Sequence, residues 1–213
     1  MTTKEKIVAA KERLLESFKN KTTELPSHST DSRLPNGQRW TSGFPVLDLG
    51  IKPEMDLASW QLEIITENKI SAKYTLKQLI NLGIKTYTND FHCVTTWSKK
   101  DVIWTGIPFE KITSLINPNP KWTHLIQHGA DGYSTNVPRE DLENKGVFLA
   151  FELDHKPIPK EHGYIRLIIP HLYAWKTSKF LIKLEFTNRD KPGFWETRGY
   201  HNRGDAFKEE RYS

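Results

Sequence analysis

The only cysteine of the 213-residue chain, Cys93, lies in an aromatic-rich segment, NDFHCVTTWSKKDVIWTGIPF, residues 89–109. A thiol can be a small buried hydrophobe, a nucleophile or, once deprotonated, a metal ligand. His92 is adjacent, but successive side chains of a strand point to opposite faces, so a nucleophilic Cys–His pair needs a more distant histidine. A thiolate zinc site is disfavoured without a second cysteine. A metal bound through one protein thiolate would take its other ligands from an organic cofactor.

The bulk composition bounds the class of protein. Hydrophobic residues make up 37% and charged residues 27% of the chain, and the formal net charge is +5. These values are ordinary for a globular domain with a sizeable core, and they permit an anionic ligand. One cysteine makes no intramolecular disulfide, which fits a reducing compartment. Because the N-terminus lacks the pattern of a signal peptide and no apolar run approaches ~20 residues, we expect a cytoplasmic protein without a membrane span.

The elements that must position Cys93 are short and mixed. Residues 1–22 repeat apolar side chains at helical spacing, which predicts an N-terminal helix ahead of one domain over residues 23–213. YTLKQLINLG predicts a short helix, and a second is expected from about Phe109 to Ile116. WQLEI, GVFLAFELD, YIRLIIP and KFLIKLEFT have the composition of strands. The pattern predicts an α+β fold, a mixed β-rich body with a few short helices.

Three segments, in order, resemble one known family. FHCVTTWSKKDVIWTGIPF resembles the cysteine segment of the sulfite-oxidase-fold molybdenum enzymes, and DGYSTNVPREDL resembles their segment with an active-site tyrosine. KPIPKEHGYIRLIIPHLYAWKTSKFL is similar to their pterin-binding segment. The likeness covers roughly residues 33–212 and is strongest to bacterial cytoplasmic sulfite-oxidase-like proteins, with the methionine-sulfoxide reductase catalytic subunit as a relative. It implies a sulfite-oxidase-type fold and an oxidoreductase that binds molybdenum and molybdopterin.

The resemblance also implies roles for individual residues. Cys93 would ligate the metal, and Tyr133 would sit over it as a catalytic group that donates a hydrogen bond or relays a proton. A molybdopterin pocket needs cations and hydrogen-bond donors for a phosphate and a polar ring. The positions carried over as cofactor contacts are Phe44, Leu47, Asp48, His128, His162, Arg166, Thr177, Ser178 and Lys179. Lys176 is expected to pack or to face solvent.

The sequence departs from the sulfite-oxidase pattern just after the cysteine. Sulfite oxidases place an arginine within a few residues of the metal ligand, whereas VTTWSKK offers Lys99 and Lys100. An ammonium does not supply the planar fork of a guanidinium. The expected reaction is therefore two-electron oxygen-atom transfer on a small sulfoxide-, N-oxide- or sulfite-like molecule. No haem-attachment motif occurs, so a separate electron-transfer partner is expected.

Two alternatives belong to other classes of function. A Cys–His thiol enzyme requires a histidine beside Cys93 and a lowered thiol pKa. A basic, aromatic module that binds single-stranded nucleic acid is allowed by seven tryptophans and the positive charge. The basic residues alternate with acidic ones and form no long stripe, so binding of nucleic acid is not expected.

Overall fold

The computed structural model describes residues 30–66, 69–116 and 121–213, together with Glu5, Ala9, Glu12, Arg13 and Glu16. These five N-terminal positions are helical. The remainder of the helix predicted over residues 1–22 lies outside the described residues. The division of the chain into residues 1–22 and 23–213 stays a prediction.

Short strands make up most of the regular structure. The described strands are β1 (Arg39–Trp40), β2 (Gln61–Thr66), β3 (Lys69–Thr75), β4 (Lys85–Cys93), β5 (Trp97–Pro108), β6 (His124–Gly129), β7 (Ser134–Pro138), β8 (Phe148–Leu153), β9 (Lys156–Pro157), β10 (Arg166–Ile168) and β11 (Leu181–Thr187). Within residues 30–66, 69–116 and 121–213, the α-helices are α1 (Leu76–Ile80), α2 (Phe109–Thr113) and α3 (Arg139–Leu142). In the same ranges, 3-10 turns span Lys160–His162, Ala174–Lys176 and Glu196–Arg198. The predicted α+β, β-rich body with short helices is confirmed.

The strands form two sheets. In the first, the order is β1-β5-β8-β10, with β4 paired to β5 and β9 paired to β8. In the second, the order is β3-β2-β11-β6-β7, and β11 runs parallel to β2. Strands β4 and β5 are antiparallel neighbours joined by a tight turn, and their pairing ends at Cys93 opposite Trp97. The hairpin therefore carries the cysteine at its tip.

Both faces of the first sheet are buried. Alternate side chains of β8 enter different apolar clusters, with Leu149 in the larger cluster and Phe148 and Ala150 in the smaller one. Strand β10 repeats this division with Leu167 and Ile168. Because a strand presents successive side chains to opposite faces, the sheet separates the two clusters. Cys93 belongs to the smaller cluster, which is rich in aromatic rings.

Local side-chain hydrogen bonds fix the start of α1 and the end of α2. Helix α1 opens on a capping box in which Thr75 and Gln78 exchange hydrogen bonds. Helix α2 ends at Thr113, three residues before the predicted end at Ile116. There the Thr113 hydroxyl donates to the Glu110 carbonyl at 3.1 Å and the Ser114 hydroxyl donates to the Lys111 carbonyl at 2.7 Å. Such local bonds offer the backbone carbonyls an alternative to further helix.

Within the described ranges, no helix is long and apolar enough to cross a bilayer.

We expect Gly106→Ala to destabilise the protein, because Gly106 lies where β5 presses against β8. A β-carbon there would approach the Leu149 carbonyl oxygen to 2.5 Å and the Phe148 ring to 2.7 Å. Overpacking of this kind costs about 1–3 kcal/mol of unfolding free energy, measurable by denaturant titration of the cofactor-free protein. Gly43→Ala is the matched control, since its nearest neighbour would be 3.8 Å away. Equal stability of the two variants would show that the strands have room at Gly106.

Candidate active site

A cavity opens beside the hairpin tip that carries Cys93. It holds about 910 Å³ of empty space, counting its mouth. Its walls are largely aromatic. The aromatic residues that line it are Phe91, Trp97, Tyr133, His162, Trp175, Trp195 and Tyr200.

Cys93 is nearly buried, with 6% of its surface exposed. Its sulfur lies 3.2 Å from the hydroxyl oxygen of Thr95. Burial raises the pKa of the Cys93 thiol, and it outweighs the hydrogen bonds from the Thr95 hydroxyl and backbone N–H, which lower the pKa. A thiol with a raised pKa is a weak nucleophile at neutral pH. The environment therefore favours the protonated thiol in the cofactor-free protein.

His92 does not form a pair with Cys93. Its Nδ1 lies 2.8 Å from the Ser98 hydroxyl, and its ring packs edge-on against Phe207. His162 is a histidine that lines the cavity. Burial, with smaller contributions from nearby Arg166 and Lys179, lowers the pKa of His162 to about 4, so this imidazole is neutral at pH 7. The Cys–His thiol enzyme gains no support from this geometry.

Arg166 is a buried cation on the cavity wall. It starts β10, is 2% exposed, and donates from Nη2 to the Thr177 hydroxyl at 2.6 Å. Its guanidinium carbon lies 5.2 Å from the centre of the Phe91 ring. Burial lowers the pKa of Arg166 to about 10, which leaves it charged at neutral pH. Its Nε is buried without a hydrogen-bond partner in the protein. A buried donor without a partner costs free energy, and a ligand with an acceptor oxygen would remove that cost.

Lys179 joins three parts of the cavity wall. Its ammonium donates to the carbonyl oxygen of Leu47 at 2.8 Å and to that of Glu161 at 2.9 Å. The neighbouring Thr177 hydroxyl donates to the Ala174 carbonyl at 2.8 Å. Together with Arg166, these residues place two positive charges on one wall of the cavity, which fits an anionic ligand rich in hydrogen-bond acceptors.

Tyr133 and Asp131 lie in the turn that joins β6 to β7, and both line the cavity. The Tyr133 hydroxyl donates to the Trp175 carbonyl, and burial raises the pKa of Tyr133 well above its usual value. The phenol is therefore neutral at any physiological pH. Asp131 accepts from the backbone N–H of Tyr133 at 3.1 Å, and burial raises the pKa of this carboxyl group. Asp131 lies in the quoted DGY motif but was not among the candidate residues.

Most sequence-predicted residues meet at this cavity. Those on its wall are Leu47, Asp48, Cys93, Tyr133, His162, Arg166, Thr177 and Lys179. Phe44, His128 and Ser178 are not on the wall. The Phe44 ring packs 4.3 Å from the His162 ring, behind it. Ser178 is fully buried, and its hydroxyl donates to the Lys179 carbonyl at 3.0 Å.

His128 points to a partner on the neighbouring strand. Its Nε2 lies 3.2 Å from a carboxylate oxygen of Glu185, across the β6–β11 pair. The sequence placed His128 near the DGY turn, but the strand continues to Gly129 and its alternation sends the ring elsewhere. The imidazole therefore serves a surface ion pair when protonated.

Two buried cations that support the site were not predicted from the sequence. Lys176, expected to pack or face solvent, is fully buried and contacts Glu196 at 2.5 Å and the Asn136 side-chain oxygen at 2.8 Å. Arg211 donates to the Val94 carbonyl at 2.8 Å, at the cysteine turn. Both contacts join segments that are far apart in sequence, and no local pattern indicates them.

Comparison with known proteins agrees with this geometry. Residues 49–195, well over half of the chain, match the family model described as the oxidoreductase molybdopterin binding domain. The chain is 34% identical over 186 residues to an uncharacterized oxidoreductase, YuiH, of Bacillus subtilis, and the match covers 85% of this chain and 92% of YuiH.

More distant relatives are longer proteins. The chain is 22% identical to the catalytic subunit MsrP of the protein-methionine-sulfoxide reductase of Campylobacter jejuni, over 65% of this chain and 52% of that protein. The sulfane dehydrogenase SoxCD of Paracoccus pantotrophus has a similar fold, with a TM-score of 0.57 at 19% identity, over 65% of this chain and 40% of that one.

The structural likeness supports the sulfite-oxidase-type fold that the sequence predicted. The family match extends from Leu49 to Trp195, both of which line the cavity, and so includes the cysteine hairpin and the wall residues Arg166 and Lys179. The chain belongs to the oxidoreductase molybdopterin-binding domain family, and it is an oxidoreductase whose cofactor is molybdopterin carrying molybdenum.

Proposed function

We propose that this protein catalyses two-electron oxygen-atom transfer, with Cys93 as the protein ligand of the molybdenum. The observation that carries the proposal is that the only cysteine lines the same cavity as two cations, the buried Arg166 and the half-buried Lys179. When bound, the cofactor supplies a two-electron centre held by soft sulfur ligands, to which one protein thiolate is a natural addition. The protein contributes binding, orientation and a partly dry cavity.

The cofactor-contact residues form one half of the proposal. Arg166 and Lys179 would hold the phosphate and polar ring, because a guanidinium with an unsatisfied Nε and an ammonium suit acceptor oxygens. Thr177, His162, Leu47 and Asp48 would complete the contacts. Phe44 and Ser178 would act behind the wall, through packing on His162 and through the backbone beside Lys179. His128 has no contact that supports a cofactor role.

Tyr133 stays in the proposal as the catalytic group that positions substrate or handles a proton. Its hydroxyl hydrogen is engaged by the Trp175 carbonyl, so donation to a substrate requires exchange of that hydrogen bond. Reduction of a sulfoxide takes two electrons and two protons and yields a sulfide and water. Because its pKa is raised far above neutrality, the phenol is better suited to donating a hydrogen bond than to giving up its proton.

The cavity wall favours a neutral substrate over the sulfite dianion. Within the described ranges, Arg166 is the one arginine that lines the cavity, and it is engaged by Thr177 and Phe91. Asp48 and Asp131 also line the wall, and carboxylates oppose an anion. A sulfoxide or an N-oxide matches the aromatic surroundings without needing further positive charge.

The proposal includes an electron supply and a location. We assign the electrons to a separate electron-transfer protein, because the relative MsrP is by its name the catalytic subunit of a reductase, which is the arrangement in which another subunit supplies electrons. We assign the protein to the cytoplasm, because a single cysteine without disulfides fits a reducing compartment.

Cys93→Ser should abolish the absorbance that arises from charge transfer between the thiolate and the metal. Protein is isolated from a host that makes molybdopterin, and its molybdenum, pterin and visible spectrum are measured beside those of the unmodified protein. Serine keeps the size of the side chain and removes the soft ligand, so folding measured by circular dichroism should be preserved. An unchanged spectrum in the variant would exclude Cys93 as the ligand.

Arg166→Met should weaken cofactor retention by about 10- to 100-fold, because hydrogen bonds to charged groups contribute about 1.5–3 kcal/mol. The cofactor-free variant should be as stable as the parent or more so, because a buried cation is replaced by a hydrophobe. Pterin content and denaturant unfolding are the two measurements. Arg189→Met, at an exposed arginine, is the matched control. Full retention of the cofactor in Arg166→Met would contradict its assigned contact.

Reduced artificial donor should support turnover of sulfoxides or N-oxides with a kcat/KM at least about tenfold above that for sulfite oxidation, a factor that corresponds to ~1.4 kcal/mol. The panel contains dimethyl sulfoxide, an aryl methyl sulfoxide, trimethylamine N-oxide and, with an artificial acceptor, sulfite. Protein carrying Cys93→Ser serves as the blank. Preference for sulfite would overturn the assignment of a neutral substrate.

A further inference from the structure

The turn that joins β4 to β5 is held at its carbonyl groups. The Cys93 carbonyl accepts from the Gln38 side chain at 3.0 Å and from the Thr96 backbone N–H at 3.2 Å. The Thr96 carbonyl accepts from the backbone N–H of Arg39 at 3.0 Å. These donors come from both the turn itself and β1, so they fix the path of the backbone next to the sulfur.

A distant cation completes this arrangement. Arg211 donates to the Val94 carbonyl at 2.8 Å, from a side chain that is itself buried. Thr96 has a φ of 69°, a left-handed conformation that is unfavourable for a β-branched residue. Strain of this kind persists only where the surroundings determine the backbone, and it occurs often at functional sites. The turn is rigid for reasons beyond the closing of a hairpin.

Thr95 is the residue whose side chain this turn directs at the sulfur. It is 5% exposed, and its hydroxyl oxygen lies 3.2 Å from the Cys93 sulfur. In the free thiol either atom can be the donor. A thiolate bound to a metal has no proton, so the Thr95 hydroxyl must then be the donor.

We propose that Thr95 is a positioning residue whose hydroxyl donates a hydrogen bond to the ligating sulfur of Cys93 and thereby sets the reduction potential of the metal. The inference rests on the proposed role of Cys93 as the ligand. A hydrogen bond to a ligating sulfur withdraws electron density from it, and such bonds tune the potentials of copper and iron–sulfur centres. Groups that orient and polarise a ligand also affect affinity and activity.

The direction of the effect follows from charge. Without the hydroxyl, the sulfur donates more electron density, and the oxidised metal is stabilised relative to the reduced metal. The reduction potential falls, and the charge-transfer band moves to longer wavelength because the sulfur electrons are higher in energy. At a fixed solution potential, the ratio of reduced to oxidised metal should fall by about 3- to 10-fold, the range expected for the loss of one hydrogen bond.

The test compares two variants without the hydroxyl, Thr95→Val and Thr95→Ala, with Thr95→Ser, which retains it. The visible spectrum and a redox titration are recorded on cofactor-loaded protein, and metal content is measured alongside. Thr88→Val removes an exposed hydroxyl from β4, the strand that ends at Cys93, and is the matched control. If Thr95→Val takes up no cofactor, Thr95→Ala and Thr95→Ser still form the decisive pair.

Support for the proposal is a red-shifted band and a lowered potential in the variants without the hydroxyl, with Thr95→Ser and Thr88→Val close to the parent. Any other pattern overturns it, including a shift of equal size in Thr95→Ser, which would indicate altered packing. Failure of the proposed ligand role is distinguishable, because there the parent protein and Cys93→Ser would have the same metal content and spectrum. If only the Thr95 proposal fails, the parent protein and Cys93→Ser still differ in metal content and spectrum.

Discussion

The pairing of Cys93 with Trp97 at the end of a hairpin is the constraint on which the site depends. It places a thiol at the border between a sheet buried on both faces and a cavity, so that the sulfur is fixed by strand geometry while one side of it remains accessible. Burial raises the pKa of the thiol, so Cys93 stays protonated at neutral pH in the cofactor-free protein. The surrounding aromatic cluster makes the position apolar without filling the cavity.

The same sheet also places Arg166 at the cavity. Strand β10 sends Leu167 into the larger core and turns Arg166 toward the cavity, an outcome of simple alternation along three residues. A guanidinium in such a place is expensive to bury, and Thr177 satisfies it only in part. The buried guanidinium therefore lowers the stability of the cofactor-free protein but provides a surface that suits an anionic ligand. The two large apolar clusters supply the stability that offsets this cost.

The fold class and the location of the cavity residues were predictable from the amino-acid sequence, because the signals lie in contiguous stretches of the chain. The cysteine segment, the DGY turn and the segment from Lys156 to Leu181 are contiguous stretches, and the α+β class follows from strand composition and short helical repeats. Long-range polar contacts were not accessible. Lys176 contacts Glu196 and Arg211 contacts Val94 because the tertiary fold brings separate segments together. No periodic pattern in the sequence indicates either contact. His128 is assigned to the cofactor from the sequence, whereas the structure shows its ring next to Glu185, because one residue of strand alternation decides which face a ring occupies.

The contact from Arg211 to the cysteine turn has a consequence for biosynthesis. The donor lies 117 residues beyond the Val94 carbonyl that it holds. While a ribosome is still adding those residues, the hairpin can pair, but its tip lacks one of its clamps. The turn beside Cys93 therefore gains this hydrogen bond only after the distal segment has left the exit tunnel, so this wall of the cavity is completed late in synthesis.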